Sequence, residues 1–300
     1  MALVRRADPV ELVLPRAAEE RPAAGRGRLR RWVPIGIGLV LAAVMIVVAA
    51  AAPLIAPLSP SAQFADAVLK GPGVVERHLL GTDDFGRDIL SRIIWGARVS
   101  LEVGLASVLF AFMLGVPLGL VAGVWRGHVE TVIMRCADML MAFPTLLLAL
   151  IIVTALGGSL VNEILAIGVA LTPNFLRLAR SLALTIREQD YILAARAIGS
   201  GQLRVMARHV FPNTLYALVV VATLYIATAI RTEASLSFLG LGIPPPTPSW
   251  GNILSEGRQY IKCCPWITTF SGLAIMVAVL AFNLVGDALR DLLDPRLKGE

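Results

Sequence analysis

The chain has 300 residues, of which 57% are hydrophobic and 16% charged. A mean hydropathy of +0.75 excludes an ordinary soluble domain, which needs far more polar side chains to face water. The net charge of +6 does not indicate nucleic-acid binding, because Lys and Arg in a membrane protein gather in cytoplasmic segments and their position matters more than their sum.

Residues 1–31 are Pro- and Arg-rich, with Arg5, Arg6, Arg16, Arg21, Arg26, Arg28, Arg30 and Arg31 and no periodic apolar face, and read as a disordered tail. The tail is too long and too mixed in charge for the start of a cleaved signal. A span needs about 20 mostly apolar residues, and Val33–Ala56 is the first. Residues 57–98 are mixed polar. Val103–Trp125 is the second span, Met134–Leu156 the third, and Leu160–Leu176, broken by Glu163 and Pro173, the fourth. Thr214–Ile230, extending towards Phe238, is the fifth and Trp266–Val285 the sixth. The fold class is therefore all-α, a polytopic membrane protein with six transmembrane helices. Four parts follow: a basic cytoplasmic tail over 1–31, a first helix with an outer segment over 32–98, a core over 99–286 with a polar loop over 181–213, and a short tail over 287–300.

An even number of spans puts both termini on one side. Six arginines lie between 177 and 208 and eight in the first tail, whereas the connection between spans three and four has no Lys or Arg. Both termini and the Arg-rich segment are therefore expected in the cytoplasm.

Outside the membrane, residues 83–98 read as an interfacial helix with Phe85, Ile89 and Ile93 on one face and Asp84, Asp88 and Arg92 on another. Pro244, Pro245, Pro246 and Pro248 stiffen 243–250, and Trp250 suits an interfacial anchor. Within the spans, Asp138 is costly unless paired, and Arg135 lies at i−3 on the same helix face. Glu233 is equally costly; Arg231 at i−2 points elsewhere, so Glu233 either pairs across helices or lines a path. Asp138 and Glu233 are the pathway or gating candidates.

Chemistry of other kinds finds little support. Cys136 lies in an apolar run and reads as packing. Cys263 and Cys264 are adjacent, which suits neither a zinc site nor an ordinary disulfide and leaves an unusual vicinal disulfide as the alternative to free thiols. His78, His128 and His209 all lie outside the spans, and no nucleophile–base pair or metal set accompanies them. No Gly-x4-Gly-Lys-Ser/Thr phosphate loop occurs. A membrane enzyme is therefore disfavoured, and a stand-alone secondary transporter would rest on the two acids alone.

The polar interval Arg187–Asn213 is the most informative stretch. Asp190 suits an N-cap for a helix over Tyr191–Ile198, and Gly199 suits its left-handed close. A second short helix fits Gln202–Val210, ended by Pro212. Ala194, Ala195 and Ala197 allow close approach of another surface, and the arginines suit an acidic rim. A connector resting on lipid headgroups fits the same residues.

This interval resembles the EAA motif of permease subunits of binding-protein-dependent ABC importers, which runs Glu-Ala-Ala, three residues, Gly, nine residues and Ile-x-Leu-Pro. Ala194, Ala195, Gly199 and Pro212 match it, while Leu193, His209 and Phe211 replace Glu, Ile and Leu. The stretches Leu80–Leu101, Glu233–Leu254 and Ala281–Gly299 also resemble the second permease of the dipeptide, oligopeptide, glutathione and nickel systems. The resemblance implies a type I ABC importer permease fold in the bacterial cytoplasmic (inner) membrane. It implies a homologous second permease, two cytoplasmic ATPase subunits, an extracytoplasmic substrate-binding protein and surrounding lipid as partners. ATP and Mg would bind the ATPases, and this chain would bind no cofactor. Tyr191, Leu193, Ala194, Ala195, Arg196, Ala197, Ile198 and Gly199 would dock the ATPase, while Pro245, Pro246 and Trp250 would meet the binding protein.

Overall fold

The computed structural model describes residues 26–293; the expected disordered tail up to residue 25 and the last seven residues lie outside it. Among the described residues the chain is helical, with one isolated bridge, Thr82 to Asp88, and no strand. Among the described residues, nine α-helices have eight residues or more: α1 (Arg26–Ala50), α2 (Ile89–Val124), α3 (His128–Met141), α4 (Thr145–Leu156), α5 (Leu160–Arg187), α6 (Asp190–Ala197), α7 (Phe211–Phe238), α8 (Trp250–Gly257) and α9 (Trp266–Leu293).

Among the described residues, three helical stretches are long and apolar enough to cross a membrane alone: α2, α9, and α7 with the turns that precede it from Gln202. The first span is shorter than Val33–Ala56 suggested. Its helix stops at Ala50, and Pro53 falls in the first turn of a separate short helix, Ala52–Ile55. A proline ring would clash with the carbonyl four residues back if one helix continued. The helix also starts earlier, at Arg26, inside the interval expected to be disordered.

The third span is not one rod. α3 and α4 meet at 88° across a break before Thr145. Pro144 caps α4 with extended backbone angles (φ −55°, ψ 138°), and the residue before a proline is disfavoured in α geometry. Pro173, by contrast, stays inside the continuous α5.

α2 and α5 form the central seam. They run parallel, so Gly115 faces Thr172, Gly119 faces Leu176 and Gly123 faces Ala183 at successive turns. A Cβ at Gly115 would lie 2.6 Å from the Thr172 carbonyl oxygen, and one at Gly123 would lie 2.6 Å from the Ala183 methyl. The glycine stripe removes the side chains that would hold the backbones apart. Phe175 fills the centre, fully buried, with its ring centroid 5.7 Å from Phe112 and 5.2 Å from Tyr225. α7 packs on both seam helices, α9 on α7, and α1 on α9, where Gly38 meets Leu284.

At one end of the bundle the polar segments 57–88 and 240–265 fold into a cap. Residues 83–88 do not extend the helix, contrary to the interfacial helix over 83–98. Gly86 takes a left-handed turn (φ 70°), and Asp88 caps α2 by accepting a 2.8 Å bond from the Ser91 amide. The polar face turns inward instead of towards water. Asp83 accepts from Arg87 Nε at 2.7 Å and also pairs with Arg92. Glu256 of α8 accepts from Arg87 at 2.8 Å and from Arg92 at 2.5 Å. His78 Nδ1 lies 3.0 Å from Asp88 Oδ1. Phe85, expected on the apolar face, is exposed, while Ile89 is fully buried with Ile253, Cys264 and Ile267.

Trp250 corrects another expectation. It does not anchor at an interface: it is fully buried, and its indole N–H donates to the Ile93 carbonyl at 3.0 Å. Gly96 makes room, since a Cβ there would lie 3.0 Å from the indole ring. A donor on a buried ring needs a partner, and this one ties α8 to α2.

Two outcomes follow from this packing. Gly119→Val should destabilise the folded chain by about 1–3 kcal/mol, the usual cost of overpacking, and lower its melting temperature in detergent. Gly36→Val, where a Cβ meets nothing, should leave the melting temperature unchanged. In the cap, burial, then the charges of Asp83 and Glu256, push the Asp84 carboxyl up from its ordinary range. The charged form is thus disfavoured by folding at neutral pH. Asp84→Asn should raise the melting temperature at pH 7, and the gain should fade as pH falls towards the ordinary aspartate value of about 3.9.

Candidate functional site

The end opposite the cap carries the segment between α5 and α7. Its first part is α6, one residue earlier than Tyr191–Ile198. Gln189, in extended geometry, is its N-cap, and Asp190 sits in the first turn, where a negative charge complements the helix dipole. Gly199 closes the helix at φ 90°. The Ser200 amide donates to the Ala195 carbonyl at 3.0 Å and the Gly199 amide to the Arg196 carbonyl at 2.9 Å, the paired bonds of a Schellman close.

The second part differs from the expected separate helix. Gln202–Val205 is α-helical, Met206–Val210 forms a π turn, and α7 follows without a break. Pro212 therefore sits within the first turn of α7, and the wider π turn absorbs the bond that proline cannot donate.

One side chain of α6 faces inward. Ile192 is fully buried, as are Val205 and Val210 beyond the turn. The apolar side chains around it are bare: Tyr191 is 47% exposed and Leu193 52% on α6, Ile198 86% at its C-cap and Leu203 65% just beyond the glycine close. Ala194 and Ala197 are exposed beside them, and Ala195 and Arg196 are half-buried. Leu193, at the position of the motif's acid, adds to this apolar surface.

Positive charge surrounds the element. Burial, then Arg196 and Arg126, push the Arg187 guanidinium down from its usual range. Arg187 donates to the Val124 carbonyl at 3.2 Å, joining the ends of α2 and α5.

The two acids singled out in the spans have different settings. Asp138 does not pair with Arg135. Its partner is Arg177 of α5, at 2.5 Å, and both side chains are nearly half exposed. The i−3 spacing is favourable on a straight surface helix, but Arg177 approaches from a neighbouring helix. Glu233 is fully buried and pairs across helices. It accepts from Ser100 of α2 at 2.9 Å and from Ser237 of its own helix at 3.0 Å. Ser249, which caps α8, lies 3.4 Å from Ser237. Glu233 thus joins α2, α7 and the cap. Glu163, legible in sequence as a break in the fourth span, is also fully buried, and neither of its carboxylate oxygens has a hydrogen-bond partner among the described residues.

At the cap, Pro244, Pro245 and Pro246 are exposed beside a cavity of about 360 Å³ lined by Gly158, Asn252, Ser255 and Glu256. Asp83, Asp84 and Glu256 bring carboxylate oxygens within 4.8 Å of one another, a spacing that would suit a cation. Arg87 and Arg92 supply positive charge to that group from within the chain. Nothing in the spacing of Arg92 and Glu256, 164 residues apart, marks them as partners. Arg177 escaped sequence reading for the same reason.

Residues 115–299 match the family described as binding-protein-dependent transport system inner membrane component. The di/tripeptide transport system permease protein DppC of Pseudomonas aeruginosa is 46% identical over 265 residues, covering 87% of this chain and 88% of the relative. A putative peptide transport system permease protein of Brucella abortus is 43% identical over 294 residues and 98% of both chains. The dipeptide transport system permease protein DppC of Escherichia coli is 47% identical over 266 residues, 87% of this chain and 89% of the relative. Among solved structures, a chain of the MetNI methionine ABC transporter in an inward-facing conformation aligns with a TM-score of 0.58 at 19% identity, over 69% of this chain and 98% of that one. The fold is thus that of a membrane component of an ABC importer. The family match spans more than half of the chain and the relatives nearly all of it, so this protein belongs to the binding-protein-dependent transport system inner membrane components, as a multi-pass permease subunit seated in the bacterial inner membrane.

Proposed function

We propose that this chain forms half of an ATP-driven import path for dipeptides or related small peptides, and that α6 is the surface through which a cytoplasmic ATPase drives it. The observation that carries this reading is the bare apolar surface in and around α6. Tyr191 and Leu193 on α6, Ile198 at its C-cap and Leu203 just beyond its close are all exposed, while Ile192 is the one buried side chain of α6. A second protein covering that surface would bury it.

In this reading α1, α2, the bent pair α3–α4, α5, α7 and α9 make six spans, with both termini and α6 in the cytoplasm and the cap outside. The arginine distribution supports that orientation. A homologous permease supplies the other half of the path, and two ATPases, one per permease, bind ATP and Mg. The relatives' peptide names support the substrate class. The exposed Pro244–Pro246 loop is the cap surface offered to the binding protein; Trp250 acts behind it by holding α8 to α2.

Mechanically, α6 is joined to α5 by the two-residue turn Glu188–Gln189 and, beyond its close at Gly199, to the turns from Gln202 that run into α7. Closure of the ATPases would move α6, and the α2–α5 seam would follow as one body. Glu233, at the joint of α2, α7 and the cap, is the gating candidate. Asp138, with Arg177, lies on an accessible face between α3 and α5.

A stand-alone, gradient-driven transporter is the rival, and it leans on the buried acids Glu163 and Glu233. Two experiments separate the readings. Burial of an isoleucine is worth about 1.5–3 kcal/mol, so Ile198→Asp should weaken co-purification of the ATPase by at least about ten-fold. The melting temperature should stay unchanged, because the side chain touches solvent in the isolated subunit. Retention of the ATPase and of uptake by Ile198→Asp together with Ala195→Arg would sink the docking surface. Glu233→Gln keeps groups that can bond Ser100 and Ser237 and should retain most ATP-dependent uptake, whereas Glu233→Ala should lose most of it with ATPase binding intact. Uptake that persists without ATP and collapses with a protonophore would favour the rival.

A further inference from the structure

Cys263 and Cys264 lie between α8 and α9, in a turn that no part of the transport reading uses. Adjacent side chains in an extended chain point to opposite faces, and the turn overrides this. Both backbone amides donate to the Tyr260 carbonyl, Cys263 at 3.1 Å and Cys264 at 2.7 Å. The curl brings the two sulfurs to 3.0 Å.

Their surroundings differ. Cys264 is 4% exposed and packs in the cap core with Ile89, Ile253 and Ile267. Cys263 is exposed, with its Sγ 3.3 Å from the Tyr260 carbonyl. One thiol is reachable and the other waits directly behind it. That is the arrangement of an attacking and a resolving cysteine.

We propose that Cys263 and Cys264 form a vicinal dithiol that a small disulfide-bearing molecule on the extracytoplasmic side converts into a vicinal disulfide. The side on which it faces rests on the orientation proposed above; the chemistry does not. In the first step the Cys263 thiolate attacks one sulfur of the incoming disulfide. That S–S bond breaks, a mixed disulfide forms at Cys263, and one thiol leaves carrying a proton. In the second step Cys264 loses its proton and attacks the Cys263 sulfur. The mixed disulfide breaks and a second thiol leaves. Two cysteine thiols have then lost two electrons, and the reagent's disulfide has gained them.

The order follows from the site. Burial, then the contact with Cys263, push the Cys264 thiol up to about 11, so it stays protonated while Cys263 reacts. Capping Cys263 removes part of that effect and leaves the burial. The product is labile. A trans peptide holds adjacent Cα atoms about 3.8 Å apart, below the roughly 4.4 Å at which ordinary disulfides begin. Such strain makes the bond easy to reduce, so the pair is a reversible site and not a structural staple.

The test uses the assembled transporter in right-side-out vesicles treated with oxidised glutathione, which does not cross the membrane. Mass spectrometry then reads the peptide that contains both cysteines. The wild type should lose two hydrogens and carry no lasting adduct. Cys264→Ser should hold a stable glutathione adduct, and Cys263→Ser should stay unmodified. In the wild type, closure from the mixed disulfide should speed up about ten-fold per pH unit near neutrality, following the Cys264 thiolate fraction. A lasting adduct on the wild type equal to that on Cys264→Ser would show that the sulfurs cannot close, and would overturn the proposal. No reaction with either this disulfide or a membrane-permeant one would overturn the chemistry and leave the orientation standing. Closure by the permeant reagent alone would overturn the assigned side, and with it the orientation of the transporter.

Discussion

The close approach of α2 and α5 is the constraint on which the rest of the structure depends. In a lipid surround there is no hydrophobic gain from bringing two apolar helices together, so contact must come from fit. Gly115, Gly119 and Gly123 supply it by letting the α5 backbone and its alanines reach the α2 backbone. Once these helices are fixed as a parallel pair, the other positions follow. α7 lies against both, Ser100 meets Glu233, and Gly96 meets Trp250. At the far end of the same pair, Arg187 reaches the last carbonyls of α2 beside the segment that leads to α6.

The two ends of the bundle solve opposite problems. The cap must keep charged side chains out of water without leaving them unpaired, and it gathers Asp83, Arg87, Arg92 and Glu256 into one network. Removing one member of such a group costs more than the group contributes as a whole, because the remaining charge stays buried. The network therefore fixes the position of α8 more than it adds stability. The opposite end leaves the apolar side chains in and around α6 uncovered. Its internal attachment is slight by comparison, one isoleucine and the backbone at either side.

Local rules were legible in the sequence wherever they acted alone. Gly199 closes α6 because an L side chain resists its φ, and a short helix ended by that glycine is legible from the residues alone. The same holds for most apolar runs and for the length of α7. Rules in competition were not legible. Residues 83–98 carry a helical pattern, yet Asp88 capping, the turn at Gly86 and ion pairing to a residue in another segment determine the shape of their first part. Hydropathy could find the third span but not its bend at Pro144, since Pro173, in a similar run, bends nothing that ends a helix. Trp250 has the composition of an interfacial anchor and the position of a core residue, and what separates the two is Gly96, a residue far away in sequence.

The π turn at Met206–Val210 has a geometric consequence for α7. A π turn holds one more residue than the α turn it replaces, and each residue of an α-helix accounts for about 100° of rotation and 1.5 Å of rise. The turn thus acts as a phase shifter between α6 and the long helix behind it. With α7 held by α2, α5 and α9, taking one residue out of this turn would leave α7 in place and swing the lightly held α6 by more than a quarter circle about the α7 axis. The side chains that α6 presents would then face another way.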